Sequence, residues 1–200
     1  GGTLFDLLHN CWHIPLRWWQ RRKILLDISL AVEHMHTLEA PIMHRDLKSL
    51  NVFLLSPVTD ESTGPQVKLA DFGFARVRKT QRRDESTVSD LTQGAGTPHW
   101  MAPEVASGTQ YHEKVDVFSF SIIIYEVVCR HMAFEELDQE SAMQEIASGG
   151  RPRLDPDIVP PDAPPALLDL MMRCWDQEPS KRPSISQAHD ELLRIPWPDS

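Results

Sequence analysis

Apolar side chains recur at steps of three and four residues in the first quarter of the chain. The pattern runs from Ile24 to Met35 and places its members on one face of a helix that ends at about His36. Pro41 follows and is unsuited to a helix interior because it lacks a backbone N–H. The pattern therefore predicts an amphipathic helix that packs against a core along one side.

Three further segments show helical patterns of different kinds. The segment from Val117 to Val128 is apolar on almost every side, which predicts a helix buried nearly all round at the centre of the core. Another helical stripe runs from Leu167 to Trp175, with Pro165 suited to the first turn. Ser184 and Gln187 have the spacing of a capping box, in which each side chain satisfies a free backbone N–H. A last helix is expected to begin there.

The segments between these helices have shorter, β-type patterns and polar loops. Short apolar runs between Ile42 and Leu55, a polar stretch from Ser56 to Gly64 and the run from Val67 to Leu69 predict a small hairpin. The stretch from Arg76 to Gly96 is charged, hydroxyl-rich and aperiodic, and loops of that length tend to be functional or disordered. We expect a regulatory loop there, within an α+β fold that is predominantly α.

Length and charge limit the classes of protein to which the chain can belong. Its 200 residues suffice for one domain with a sizeable core. A net charge of −9 disfavours nucleic acid and anionic membranes as partners, since both bind clustered Lys and Arg. The most apolar run, from Val117 to Val128, falls short of the roughly 20 residues that cross a bilayer. We therefore expect no nucleic-acid partner and no membrane span.

The cysteines indicate a compartment and give little support to a metal site. Cys11, Cys129 and Cys174 are an odd number at wide spacing, which is typical of reduced thiols. The first residues show no secretory signal pattern, so a reducing, cytoplasmic location is predicted. His9, Cys11 and His13 alternate in a way that could converge on zinc, but no fourth ligand is evident. Plain loop residues are the favoured interpretation of these three positions.

Three short motifs follow one another along the chain and supply the groups that phosphoryl transfer needs. They are His44–Asn51 (HRDLKSLN), Asp71–Gly73 (DFG) and Ala102–Glu104 (APE). Phosphoryl transfer requires carboxylate and amide oxygens to hold Mg²⁺ against the phosphates, and cations to neutralise developing charge. One fixed tripeptide occurs by chance in about one chain in forty of this length, but the three in order match the protein kinase signature.

These motifs and their surroundings resemble the C-terminal lobe of the protein kinase family, from just after the hinge to the last helix. The resemblance implies a mostly helical lobe over residues 1–195, with a small β-hairpin at the catalytic cleft, and a tail over residues 196–200. The segment from Gly1 to His9 is similar to the one that follows the hinge, which would place Thr3 near the ribose of ATP. By the same resemblance, Phe53 would form the floor of the adenine pocket.

The resemblance also implies roles for residues of the catalytic loop and the DFG motif. Asp46 matches the catalytic base that accepts and orients the substrate hydroxyl, and Lys48 would stabilise charge on the transferred phosphate. Asn51 and Asp71 would hold the metal. ATP and Mg²⁺ are therefore the implied cofactors, and the hydroxyl group of a protein substrate is the implied acceptor.

Two features are similar to serine/threonine kinases, in particular to the tyrosine-kinase-like group that includes the Raf and mixed-lineage kinases. Lys48 follows the base at the second position, and the segment from Gly96 to Met101 precedes the APE motif in the style of that group. In the kinases that this chain resembles, the residue at Thr97 bonds with the catalytic Asp and Lys. Serine/threonine specificity is the expectation, with dual specificity known within the group.

Other matches concern the segment that receives the substrate. Glu104 and Arg182 resemble a buried ion pair that ties the activation segment to the lobe. Arg45 resembles the arginine that pairs with a phosphate on the activation loop, which implies an upstream activating kinase. Asp116 resembles the residue that bonds to the backbone of the catalytic loop. The candidate phosphate acceptors are Thr80, Ser86, Thr87, Ser89 and Thr92.

The chain lacks the glycine-rich loop, and the lysine and glutamate with which kinases position the α- and β-phosphates. We therefore expect the N-terminal lobe to be absent, and the chain to be a fragment that binds ATP poorly by itself. Two functions stay open. The first is an ATP- and Mg²⁺-dependent protein serine/threonine kinase, which the intact catalytic set favours. The second is a non-catalytic module that docks substrates or partners.

Overall fold

The structure, a computed structural model, describes residues 1–77 and 97–198, and this part of the chain is mainly helical. A π-helix covers Asp6–Asn10. The α-helices are α1 (Trp18–Thr37), α2 (Pro103–Ala106), α3 (Lys114–Cys129), α4 (Gln139–Ser148), α5 (Pro165–Cys174) and α6 (Ile185–Arg194). Short 3₁₀ turns lie at Ser49–Asn51, Pro98–Trp100 and Pro179–Lys181. None of the described helices is long and apolar enough to cross a membrane.

The described strands form two separate antiparallel sheets of two strands each. They are β1 (Ile42–Met43), β2 (Val52–Leu54), β3 (Val67–Leu69) and β4 (Arg76–Val77). β2 pairs with β3, with Val52 opposite Leu69, which confirms the predicted hairpin. β1 pairs with β4, so Arg76 and Val77 form a strand where an irregular loop was expected. A strand of this length is too short to show an alternating pattern. The rest of the predicted regulatory loop lies outside the described residues.

α3 forms the centre of the core, as its apolar sequence predicts. Every residue from Val115 to Cys129 is buried. Phe118, Phe120 and Ile124 have no exposed surface at all. Burial of such side chains is favourable, since each contributes roughly 1.5–3 kcal/mol relative to an exposed position. The polar residues of α3 are the exceptions, because a buried polar group is costly unless it forms hydrogen bonds.

The ends of α1 and α6 show how local sequence sets helix boundaries. α1 begins at Trp18, earlier than its apolar pattern indicates, because Gln20 Oε1 accepts from the N–H of Arg17 at 2.9 Å. α6 begins after Ser184, whose hydroxyl accepts from the N–H of Gln187 at 3.1 Å. Gln187 Oε1 in turn accepts from the N–H of Ser184 at 2.8 Å. The predicted capping box is confirmed.

The packed part of the chain extends to Trp197, beyond the predicted domain boundary at residue 195. Trp197 is 4% exposed, and its ring centroid lies 6.2 Å from that of Trp18. Its indole N–H donates to the carbonyl of Leu192 at 3.3 Å. Burial of so large a ring contributes to the core, so the packing continues past the end of α6 to Trp197.

The pattern of apolar residues does not predict α4, although capping residues mark both of its ends. Only Ala142 and Ile146 of α4 are buried, too few for a helical period to stand out. Asp138 caps the helix, since its carboxylate accepts from the N–H of Ser141 at 2.8 Å. Gly149 ends it with a φ of 102°, a conformation that favours glycine. A search for caps would have located this helix.

Candidate catalytic site

Asp116, in the first turn of α3, fixes the backbone of the loop that follows β1. Its Oδ1 accepts from the N–H of Arg45 at 2.9 Å, and its Oδ2 accepts from the N–H of His44 at 2.9 Å. His36 Nε2 lies 2.8 Å from Oδ2 of the same carboxylate. Arg45 has a φ of 70°, in a region that costs a non-glycine residue about 1–3 kcal/mol. The hydrogen bonds to the buried carboxylate hold the loop in this strained shape.

Asp46 follows in the same loop and is 5% exposed. Lys48 Nζ lies 2.7 Å from its Oδ2, and Asn51 Nδ2 donates to Oδ2 at 3.0 Å. Thr97 Oγ1 donates to Oδ1 at 3.1 Å and accepts from Lys48 Nζ at 2.5 Å. The structure therefore brings Asp46, Lys48 and Thr97 together in the way that the kinase resemblance implies. One cation and two neutral donors fix the orientation of the carboxylate.

His44 lies beneath this loop and has no exposed surface. Its Nδ1 accepts from the N–H of Asp46 at 3.3 Å, while Nε2 lies 3.1 Å from the carbonyl of Ala70. Its ring also packs against Phe72, with centroids 5.4 Å apart. Both ring nitrogens are thus occupied by the backbone, which leaves none for acid–base chemistry. His44 therefore supports the loop by packing and by hydrogen bonds to the backbone.

The β2–β3 hairpin brings Asn51 and Asp71 to the same end of one sheet. Ala70, which follows β3, donates its N–H to the carbonyl of Asn51 at 2.9 Å. Asp71 comes next and is exposed, with Oδ1 accepting from the N–H of Gly73 at 3.2 Å. Within the described residues no donor contacts Oδ1 of Asn51, because its amide nitrogen faces Asp46. Carboxylate and amide oxygens are ligands that Mg²⁺ prefers, so this pair fits the metal.

Thr3 and Phe53 lie side by side, at the start of the chain and in β2. Their backbones form an antiparallel bridge, and the Phe53 side chain is exposed. Thr3 Oγ1 donates to Oδ2 of Asp6 at 2.7 Å and accepts from the N–H of Asp6 at 3.1 Å. Hydrogen bonds from Thr3 lower the pKa of Asp6. The Thr3 hydroxyl thus caps the first helical turns, and its place beside the ribose stays a prediction.

Glu104, in α2, and Arg182, just before α6, form a bidentate ion pair. Arg182 Nη1 donates to Oε1 of Glu104 at 2.7 Å, and Nη2 donates to Oε2 at 2.8 Å. The Arg182 guanidinium also lies over the ring of Phe118, 5.1 Å from its centroid. Both charged residues are buried. The pair links α2, which follows the segment from Thr97 to Met101, to the turn just before α6.

Arg45 is next to Asp46, but the residues that could carry its predicted phosphate partner lie outside the described part of the chain. Its side chain is buried, and the guanidinium lies 5.6 Å from the ring centroid of Tyr111. The five candidate phosphate acceptors all fall between residues 78 and 96, outside the described residues. The role of Arg45 in binding an activating phosphate stays a prediction.

His9 contacts Glu126 of α3, a residue that the motifs do not identify. His9 Nε2 lies 3.0 Å from Oε1 of the Glu126 carboxylate. Among the described residues there is no group of three or more His, Cys, Asp or Glu side chains that could hold a metal ion. The signal for Glu126 in the sequence is a charge within an otherwise apolar run, which requires a partner if the helix is buried.

Comparison with known proteins identifies the family of the chain. A model of the protein kinase domain matches residues 1–197. The chain belongs to the protein kinase domain family. Kinases of this family use ATP with Mg²⁺.

Several curated protein kinases resemble this kinase domain along nearly its whole length. It is 38% identical over 193 residues to the dual specificity protein kinase pyk3 of Dictyostelium discoideum, a match that covers 96% of the chain. A protein of Acanthamoeba polyphaga mimivirus, named as a serine/threonine-protein kinase/receptor, is 34% identical over 194 residues, or 97% of the chain. The chain spans 13% of the length of the first relative and 11% of the second.

Proposed function

We propose that this kinase domain transfers the γ-phosphoryl group of ATP to a serine or threonine hydroxyl of a protein substrate. The observation that carries the proposal is the setting of Asp46, whose carboxylate is held by Lys48, Asn51 and Thr97. Curated relatives named as protein kinases, which are similar along nearly the whole chain, support it.

Each residue of the site has one task in this reaction. Asp46 orients the substrate hydroxyl and accepts its proton as the oxygen attacks phosphorus. Lys48 stabilises the negative charge on the transferred group. Thr97 holds these two side chains at a fixed separation, because its hydroxyl donates to one and accepts from the other.

The nucleotide and the metal are assigned to the neighbouring residues. Asn51 and Asp71 provide the oxygen ligands for Mg²⁺, which supplies positive charge against the phosphates when bound. Thr3 and Phe53 border the nucleotide, Phe53 through its exposed ring in β2.

The proposal extends to the subgroup and to regulation. Lys48 and the segment that ends at Met101 favour a serine/threonine enzyme of the tyrosine-kinase-like group, with the described elements as its C-terminal lobe. One relative is named as a dual specificity kinase, so tyrosine is the second acceptor to test. An upstream kinase would place a phosphate between residues 78 and 96, where Arg45 could pair with it.

A cytoplasmic location forms part of the proposal because it suits free thiols. Cys11, Cys129 and Cys174 are all unpaired. Burial raises the pKa of Cys129 and of Cys174 to about 12. At neutral pH both thiols are therefore protonated and slow to react.

The decisive experiment measures phosphate transfer to a generic protein substrate by the complete gene product and its Asp46→Asn variant. Loss of the general base should lower kcat by about 10²- to 10⁴-fold. Asp157→Asn, which changes an exposed aspartate, serves as the matched control and should keep the wild-type rate. Equal transfer by wild type and Asp46→Asn would remove the proposal and leave the non-catalytic docking module.

A further inference from the structure

A small cavity borders the loop that carries Asp46. Its wall includes residues 45–47 of that loop, Tyr111, and Val115 and Ser119 of α3, all of which are buried. The cavity leaves about 10 Å³ for the centre of a water molecule, close to the least that one bound water requires. Since pockets for small organic molecules measure roughly 300–1,000 Å³, the cavity suits a single water and no larger ligand.

The hydroxyl of Tyr111 is a buried polar group in the wall of this cavity. Tyr111 is 7% exposed, and its Oη has no hydrogen-bond partner within the described part of the chain. Buried hydroxyls nearly always have a partner, because a missing one lowers stability. A phenol hydroxyl can both donate and accept, so a water molecule in the cavity can satisfy it.

Ser119 provides a second polar group in the same wall. Its hydroxyl donates to the backbone carbonyls of Trp100 and Val115, at 2.8 Å and 3.1 Å. Because a hydroxyl has one hydrogen and two lone pairs, Ser119 Oγ can still accept from a water. A bound water needs at least two polar partners, and Tyr111 and Ser119 supply them.

The ring of Tyr111 contacts the arginine that precedes Asp46. The Arg45 guanidinium lies 5.6 Å from the ring centroid, within the range of a cation–π interaction. Arg45 is itself 7% exposed and also lines the cavity. One side chain thus contacts Arg45 through its ring and borders the cavity that its hydroxyl can share with a water.

We propose that the cavity is the binding site of one ordered water, and that Tyr111 is a positioning residue for Arg45. The water binds the Tyr111 hydroxyl and Ser119 Oγ, and so fixes the ring on which the Arg45 guanidinium packs. The water site does not depend on phosphoryl transfer. Its consequence for the binding of an activating phosphate by Arg45 rests on the proposed function.

Urea unfolding of the 200-residue chain tests the water through the sign of one effect. Tyr111→Phe removes the hydroxyl and keeps the ring. Because the hydroxyl binds the water, the folding equilibrium constant should fall about fivefold, the scale of one lost hydrogen bond. An unchanged or larger constant would overturn the inference, since removal of a hydroxyl that has no partner does not destabilise the fold.

Tyr125→Phe is the matched control for this measurement. Tyr125 is the only other tyrosine of the chain, and its ring is buried but is not part of the cavity wall. The variant should change the folding equilibrium constant by less than about twofold. A fivefold fall in both variants would show a general effect of losing a phenol hydroxyl and would overturn the assignment to the cavity.

Nuclear magnetic resonance detects the water directly and needs no activity. In the wild-type chain, cross-relaxation is expected between a bound water and the methyl protons of Val115, which line the cavity. Tyr111→Phe should lose this signal. Its absence in the wild type, or an equal signal in both proteins, would overturn the water site.

The Nε–H resonance of Arg45 provides a readout that a general loss of stability does not move. Tyr111→Leu removes the aromatic face, so the resonance should shift and its hydrogen exchange should become about fivefold faster. Tyr111→Phe keeps an aromatic face and should lie between the wild type and Tyr111→Leu. An unchanged resonance and exchange rate in Tyr111→Leu would overturn the positioning role, whether or not the protein transfers phosphate.

Discussion

Asp46 and Asp71, the two carboxylates of the proposed site, have opposite surroundings. Asp46 is 5% exposed and contacts Lys48, Asn51 and Thr97, in a loop that Asp116 of α3 fixes from below. Asp71 is exposed, and among the described residues its carboxylate accepts a hydrogen bond only from the backbone N–H of Gly73. Phe72, the next residue, is 51% exposed.

The difference teaches which part of the site the fold itself preorganises. A carboxylate that several fixed donors orient needs little rearrangement before it accepts a proton, which favours catalysis. The β2–β3 hairpin positions the backbone of Asp71, and its side chain forms no long-range hydrogen bond or ion pair in the described part of the chain. The proposed proton acceptor, Asp46, is therefore buried and oriented by the fold, while the proposed metal ligand, Asp71, is exposed at the surface.

The largest effect on stability is expected at the buried Glu104–Arg182 ion pair. Glu104→Gln leaves the buried guanidinium of Arg182 without a countercharge. Breaking one partner of a buried pair costs about 3–5 kcal/mol, and the glutamine oxygen retains one acceptor, so we expect about 3 kcal/mol. Urea unfolding of the 200-residue chain measures this. Glu135→Gln, at an exposed glutamate, should leave the midpoint unchanged, and an equal shift in both variants would contradict the prediction.

Asp116→Asn should have the next largest effect, because it loosens the loop that carries Asp46. The carboxylate accepts from two buried N–H groups, of His44 and Arg45, and asparagine offers only one oxygen. A buried donor left without an acceptor costs about 1–3 kcal/mol, so we expect a loss of about 2 kcal/mol in the free energy of unfolding. Urea unfolding tests this, with Asp157→Asn as the exposed control. A loss no larger than that of the control would show that α3 does not hold the loop.

Asp46→Asn should have a smaller effect on stability, about 1 kcal/mol. The variant loses the ion pair with Lys48, whose ammonium keeps the hydroxyl of Thr97 as an acceptor. The Lys48 side chain is 15% exposed, against 0% for that of Arg182, so water screens this pair more and reduces the loss. The same urea titration measures the change. A loss of stability as large as that of Glu104→Gln would contradict this prediction and would show that Asp46 is needed for folding as well.

Much of the helical fold and the residues of the candidate site could be predicted from the sequence, because both follow from motifs and from periodicity. The buried helix from Val117 to Val128 and the capping box at Ser184 depend on local residues, and the structure confirms both. The motif residues were named from their order in the chain. Asp46, Lys48 and Thr97 meet because the loop after β1 and the segment before α2 pack on the same helix.

What the sequence could not predict depends on long-range contacts. The pairing of β1 with β4 joins two short segments, neither of which has a pattern of its own. The partners of Glu126 come from residues 9, 49 and 100, and nothing local links these positions. The burial of Trp197 likewise depends on Trp18, at the other end of the chain. The burial of Asp46 and the exposure of Asp71 also depend on how distant segments pack, so the sequence does not predict them.

Asp71→Asn should have the smallest effect on stability, within about 0.5 kcal/mol, as is usual for exposed positions. The variant keeps one oxygen for the N–H of Gly73 and breaks no long-range contact within the described residues. Its effect on phosphate transfer should be large, at least about 10²-fold, because the amide brings no negative charge to Mg²⁺. Urea unfolding and transfer assays on the same preparations measure both quantities.

The pair Asp46→Asn and Asp71→Asn is the sharpest test of the comparison, since both remove one charge from one aspartate of the same site. If both variants lose transfer and only Asp46→Asn loses stability, the two carboxylates differ in the way that their surroundings indicate. Equal losses of stability would mean that Asp71 has contacts as extensive as those of Asp46. Full transfer activity in Asp71→Asn would instead remove this residue from the proposed metal site and leave Asp46 as the assignment with the stronger support.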